Sequence, residues 1–176
     1  MSWYYKVNND DSARFTLGKL GKNNIVCIGI NPSTATPDKL DPTIRKVEKI
    51  TALNDFDGWV MINVYPQRAT NPNDLDSESN FKLHQENLLA IKALADTASI
   101  GKIWACWGNL IQIRPFLYNC LNDIVNVLQN EDKWVSLNGL TKMQNPKHPL
   151  YLPYNSVFEE FNINEYINLN GERNPY

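Results

Sequence analysis

Four apolar runs in this sequence end in polar or aromatic side chains whose types suit recognition of a small polar ligand. The first run leaves sharply through Gly29-Ile30-Asn31-Pro32-Ser33. Pro32 removes a donor and biases Asn31 toward extended backbone. The Asn31 side chain then either holds a water or a ligand polar group, or forms a turn with a Ser33 cap. In Val60-Met61-Ile62-Asn63-Val64 an amide interrupts an otherwise apolar run. Burying it costs a few kcal/mol unless it is paired. An amide offers a donor and an acceptor side by side, the complement of a pyrimidine edge. A structural hydrogen bond to a neighbouring loop would satisfy it equally. Tyr65, Gln67, Arg68 and Thr70 follow. An arginine there suits a carboxylate or phosphate, or is an exposed rim residue.

The third run ends in Trp107-Gly108-Asn109, and after the fourth come Thr141, Lys142 and Pro146-Lys147-His148-Pro149-Leu150. Two prolines stiffen that last loop and Lys147 adds charge beside the imidazole. His148 could stabilise negative charge developing on a leaving group, or have no task. Asp41 is either a helix cap or a group that orients a water or hydroxyl. His84 reads as a surface or satisfied helix residue. Neither GxGxxG nor GxxxxGK[ST] is present, so no Gly-rich phosphate loop is expected.

These groups matter only if the chain brings them together. Asn24–Ile30, Gly58–Val64, Lys102–Trp107 and Lys133–Leu137 read as buried strands. Pro42–Leu53 has Ile44, Val47, Ile50 and Thr51 at helical spacing, with Asp41 as N-cap and Pro42 at the first helical position. Phe81–Thr97 is a second helix. Asn109–Gln129 is helical in pattern, kinked or restarted at Pro115. Trp3–Val7 and Ala13–Leu17 form a possible extra antiparallel hairpin, and the Asn-rich ends, Asn8–Asp11 and Asn162–Asn174, read as surface segments. Strand and helix alternate, which implies right-handed crossovers and a central parallel sheet. The expected fold is one α/β domain over residues 1–176, three-layered, with a central four-stranded parallel sheet. Ligands of such sheets bind outside the carboxyl ends of the strands, where the residues named above as following the four runs fall; Asp41 and His84 belong to helices instead.

Composition narrows the function. The 176 residues carry 17 Lys and Arg against 19 Asp and Glu, a net charge of -2. That argues against holding nucleic acid mainly by bulk positive charge. Asparagine is frequent, with 24 residues. Three cysteines, Cys27, Cys106 and Cys120, lie in apolar runs and form neither a disulfide framework nor a zinc-ligand spacing. No metal and no cofactor is expected. No apolar run approaches a membrane span, and the N-terminus lacks a signal-peptide core. The expectation is a cytoplasmic protein with reduced thiols.

The combination of Asn31-Pro32-Ser33-Thr34-Ala35, Asp41-Pro42-Thr43-Ile44-Arg45, Asn63-Val64-Tyr65 with Arg68-Ala69-Thr70, Trp107-Gly108, Gly139-Leu140-Thr141 and His148-Pro149-Leu150 resembles a bacterial and phage domain-of-unknown-function family, number 1643, from about Arg14 to Leu152. The order of motifs is more distantly similar to the uracil-DNA glycosylase superfamily. That likeness implies a four-stranded parallel sheet flanked by helices. It implies that Asn31 positions an attacking water, that Asn63 reads a pyrimidine, that His148 steadies the departing base and that Leu150 enters the duplex. Two departures stand out. Ser33 replaces a usual glycine, and His148-Pro149-Leu150-Tyr151 lacks the serine that would contact a phosphate. Tyr65 is the candidate for stacking on the base.

Three functions follow. The first is hydrolysis of the N-glycosidic bond of a pyrimidine-like base, modified bases included, in DNA or a nucleotide. Asn31, Asp41 and His148 would be catalytic; Pro32, Ser33, Asn63, Tyr65, Arg68, Trp107, Lys142, Lys147 and Leu150 would contact substrate. The second is a non-catalytic pocket for a nucleotide or nucleotide-derived signal, with Arg68, Lys142 and Lys147 supplying local positive charge. The third is an interaction module using Trp3, Trp59 and Trp134, which otherwise fill a core. The sequence leaves oligomeric state open.

Overall fold

A computed structural model describes residues 2–171, so the end of the Asn-rich 162–174 segment lies outside the described residues. The elements in chain order are β1 (Trp3–Val7), β2 (Arg14–Lys19), β3 (Asn24–Gly29), α1 (Pro42–Leu53), β4 (Gly58–Asn63), α2 (Phe81–Thr97), β5 (Ile100–Ala105), α3 (Phe116–Leu128), β6 (Trp134–Leu137), β7 (Phe158–Glu160) and α4 (Ile163–Gly171). All seven strands join one sheet in the order β1-β2-β4-β3-β5-β6-β7. Its centre, β4-β3-β5-β6, is parallel. The expected four-stranded sheet is therefore the middle of a larger one. The antiparallel β1–β2 hairpin extends one edge through β2–β4, and β7 pairs antiparallel with β6 at the other.

Alternation along each central strand divides the core into two layers. On one face Ile25, Cys27, Trp59, Met61 and Trp104 pack against Ile44, Val47 and Ile50 of α1. On the other, Val26, Ile28, Val60, Ile62 and Ile103 pack against Ile91 and Leu94 of α2 and Leu117, Leu121 and Ile124 of α3. Trp59 and Trp134 are buried and Trp3 stands edge-on to Trp59, so these rings serve the fold. The three cysteines are free and buried. No helix among the described residues is long and apolar enough to cross a membrane.

Three local differences have physical reasons. Gly108–Ile113 forms a 3-10 helix and α3 restarts after Pro115, which has no N–H for a continuous helix. β5 spans Ile100–Ala105, two residues earlier than the apolar run suggested, because Ile100 already pairs with Asn24 of β3 and the ladder ends with Ala105 opposite Ile28. The Asn-rich C-terminal segment is not simply surface. Ile163, Tyr166 and Asn170 of α4 are buried, at helical spacing, and Ile163 and Tyr166 pack beside Phe161 and Trp107.

Candidate functional site

The four parallel strands deliver their exits to one sheet edge, and α1 begins there with Asp41. Asn63 closes β4, and its side chain lies over Gly29 on the α1 face. A Cβ on Gly29 would approach Asn63 Oδ1 to 3.2 Å and Met61 Cε to 2.6 Å, so this close approach requires glycine. The Asn63 backbone carbonyl accepts a 3.0 Å hydrogen bond from Asn87 Nδ2. Its side chain is 1% exposed, and neither Nδ2 nor Oδ1 has a partner among the described residues. Each unpaired buried group costs on the order of 1–3 kcal/mol.

Asn31 divides its amide between two tasks. Nδ2 donates to the carbonyls of Ala69 at 2.8 Å and Pro32 at 3.0 Å, and the Ala69 N–H returns a bond to Pro32 O. The donor half thus ties the β3 exit to the β4 exit. The Oδ1 acceptor has no partner among the described residues. Ser33 Oγ meets Thr70 Oγ1 at 3.2 Å across the same seam.

Arg68 sits at that seam as a clamp. Its Nε donates to Asp11, Nη1 to the carbonyls of Ser33 and Ala35, and Nη2 to the Tyr5 hydroxyl. The carboxylate it pairs with belongs to the β1–β2 hairpin. With Asp11, Ser33, Thr34, Ala69 and Thr70 it lines a shallow cavity of about 300 Å³.

A larger cleft, about 830 Å³, opens at the β5 and β6 exits and includes Trp107, Asn109, Leu110, Lys147, His148 and Tyr151 in its wall. Gly108 makes its shape possible. It has φ +64°, donates to Pro146 O at 2.9 Å, and a Cβ there would meet His148 Cβ at 3.2 Å. The Leu150 N–H donates to His148 Nδ1 at 3.3 Å. In the neutral ring that leaves the proton, and a donor, on Nε2. Burial lowers the His148 pKa, while the charge of Asp41 works the other way. His148 is therefore neutral at neutral pH.

Asp41 caps α1: its Oδ1 accepts from Ile44 N at 2.9 Å. Its charge reaches His148 on one side and Arg14 on the other. Arg14 opens β2, is 2% exposed, and donates from Nη1 to Ala35 O at 3.1 Å. Burial first, then the Arg68 charge, lowers its pKa to about 10. It remains charged at neutral pH. Nothing in the alternation of Ala13-Arg14-Phe15-Thr16-Leu17 distinguishes Arg14 from an ordinary solvent-facing strand position.

The remaining sequence candidates take other places. The Tyr65 ring is buried among the α2 and α3 side chains, edge-on to Phe116 at 5.0 Å. Its hydroxyl donates to Asp76 at 2.7 Å and accepts from Asn80 N, and burial pushes its pKa up. The Trp107 ring is wholly buried. Its Nε1 donates to Tyr166 Oη, which donates to Asn145 Oδ1; Asn145 Nδ2 and Thr141 Oγ1 both donate to Asn109 Oδ1. That chain pins the β6 exit loop to the β5 exit and α4. Lys147 Nζ holds Asn138 O at 2.7 Å. Lys142 is exposed on the loop, outside the cleft wall. Leu150 is half-buried, its carbonyl accepting from Lys46 Nζ. The outward side chain of that turn is Tyr151, 83% exposed. Pro32, buried, supplies the carbonyl that joins the two exits.

The model of a family described as "Protein of unknown function (DUF1643)" matches residues 14–150. The chain belongs to that family. No curated protein and no solved structure matches it.

Proposed function

We propose that this member of the DUF1643 family recognises a pyrimidine-like base, modified bases included, and hydrolyses the N-glycosidic bond joining it to a sugar, in DNA or a nucleotide. The observation that carries the reading is the Asn63 amide. A buried donor and acceptor, both unpartnered at the carboxyl end of a central parallel strand, match the adjacent N–H and C=O of a pyrimidine edge. The parallel centre of the sheet agrees with the fold that the glycosylase resemblance implies.

The other groups have suitable chemistry. The open Oδ1 of Asn31, with the Asp41 carboxylate, orients a water toward the anomeric carbon. The C–N bond breaks with its electron pair leaving on the base, and the water oxygen bonds to the carbon. His148 Nε2–H donates to the base as negative charge develops there, a stabilisation strongest in a site shielded from water. The proton lost by the water ends on the departed base. In DNA the target nucleotide would first be flipped out, at a cost of a few kcal/mol.

A second reading is binding of a nucleotide or nucleotide-derived signal without turnover, but two of the cations expected to hold its phosphate are engaged elsewhere. Arg68 is committed to the hairpin and loop, Lys147 to Asn138 O, and the net charge is -2. This favours a compact ligand over a long duplex. The test is incubation with labelled oligonucleotides bearing uracil, mismatched thymine or modified pyrimidines, then alkali, alongside free nucleosides and nucleotides assayed for base release. Strand breaks or released base support hydrolysis. Saturable thermal stabilisation without turnover supports binding alone. Neither response across the panel contradicts base recognition.

A further inference from the structure

A guanidinium removed from water ordinarily faces a carboxylate. Arg14 makes no ion pair among the described residues, although it is 2% exposed. Only its Nη1 is engaged, on Ala35 O. Nε is buried without a partner, and Nη2 makes no hydrogen bond among the described residues. The nearest carboxylates are otherwise occupied: Asp11 bonds to Arg68, and Asp41 Oδ1 caps α1. Arg68 adds a second positive charge on the same loop carbonyl, Ala35 O. The structure thus concentrates two cations at the β3 exit and leaves one of them with its Nε–Nη2 edge open. That edge is the fork by which arginine takes two oxygens of a phosphate or carboxylate.

The neighbourhood relates Arg14 to Asn63. β2 runs antiparallel to β4, and Arg14 N donates to Pro66 O, three residues beyond Asn63.

We propose that Arg14 is the anion-binding residue of the site, its Nε–Nη2 edge receiving the phosphate of a pyrimidine mononucleotide whose base is taken by Asn63. The inference rests on the base-recognition reading of Asn63 for the base half of the ligand. The depth of the guanidinium selects the source of the phosphate. A terminal phosphomonoester enters a fold end-on, whereas an internal phosphodiester carries chain on both sides.

Calorimetric titration separates the parts. The probes are inorganic phosphate, the 5′-monophosphates of uridine, cytidine and thymidine, the matching nucleosides, and a single-stranded pyrimidine oligonucleotide without terminal phosphate. The mononucleotide is expected to bind about tenfold or more tightly than its nucleoside, a comparison that needs no variant. Arg14→Gln should erase that preference and keep nucleoside binding, which also reports a folded site. Arg14→Lys, with charge but no fork, should retain part of it. Equal affinity for nucleotide and nucleoside in the unaltered protein overturns the proposal, as does an Arg14→Gln protein that keeps the preference. An oligonucleotide that binds as well as the mononucleotide overturns the choice of a terminal phosphate. If phosphate binds through Arg14 and no base adds affinity, the Asn63 reading fails while the anion site stands.

Discussion

Asp41 caps helix α1 through one carboxylate oxygen, and its charge offsets part of the burial that lowers the pKa of His148. One residue thus joins the start of a helix to the electrostatics of a loop more than a hundred positions away. The two roles are separable. Asparagine caps about as well as aspartate but carries no charge. Asp41→Asn is expected to keep the cap, to lower the His148 pKa further, read by NMR titration of the imidazole, and to lower stability through the lost charge beside the buried Arg14 guanidinium. Asp41→Ala should also lose the cap, at about 1 kcal/mol. A His148 pKa that rises or stays fixed in Asp41→Asn contradicts the coupling.

His148 also imposes a pH dependence on stability. Its folded pKa lies below the ordinary value of about 6.5. Between those values the unfolded chain binds more protons than the folded one, so stability rises with pH through that window and is fully present above it. His148→Asn keeps an acceptor for the Leu150 N–H and removes the titration. Urea midpoints measured across mildly acidic to neutral pH should rise less steeply in the variant than in the unaltered protein. An identical slope in both would show that His148 is not the group responsible.

Asn63 should behave unlike most buried residues. Its amide carries a desolvation cost that no partner in the described chain repays, so a leucine of similar size removes the cost. Asn63→Leu is expected to hold or raise stability, by up to about 3 kcal/mol, while losing response to pyrimidine ligands. Denaturant unfolding and thermal shift with ligand read the two effects. A large loss of stability would assign Asn63 a structural role instead.

Tyr65 should show the opposite pattern. Its hydroxyl links Asp76 to the N–H of Asn80 at the start of α2, on the face away from α1. Tyr65→Phe strands both partners and should cost about 1–3 kcal/mol. Base binding or release should persist under conditions where the variant is folded. Loss of binding without loss of stability would return Tyr65 to the ligand site.

The parts of this fold readable in sequence were those dictated locally. Helix α1 spans Pro42–Leu53 as read, because Asp41-Pro42 and the spacing of Ile44, Val47 and Ile50 are sufficient signals. The same holds for α2 over Phe81–Thr97. β7 is only three residues at an edge, with no pattern of its own. α4 was hidden because the burial of Tyr166 depends on Trp107, far away in the chain. The site divides the same way. Asn31, Asn63 and His148 follow strands that a parallel topology sends to one edge. Arg14 is buried by a loop some twenty residues downstream, which strand alternation does not reveal. The many asparagines are sorted by partners, not by number: Asn145 completes a buried network, whereas Asn63 has an unused amide.

The most direct measurement is the side-chain amide resonance of Asn63 in 1H–15N spectra, assigned by comparison with Asn63→Leu and followed during titration with uridine, cytidine and thymidine and their 5′-monophosphates. A saturable shift of that resonance, with the same midpoint as the calorimetric binding curve, is the expected result. A resonance unmoved by every member of the panel, in a protein that remains folded, would contradict the assignment of Asn63 as the group that reads a base.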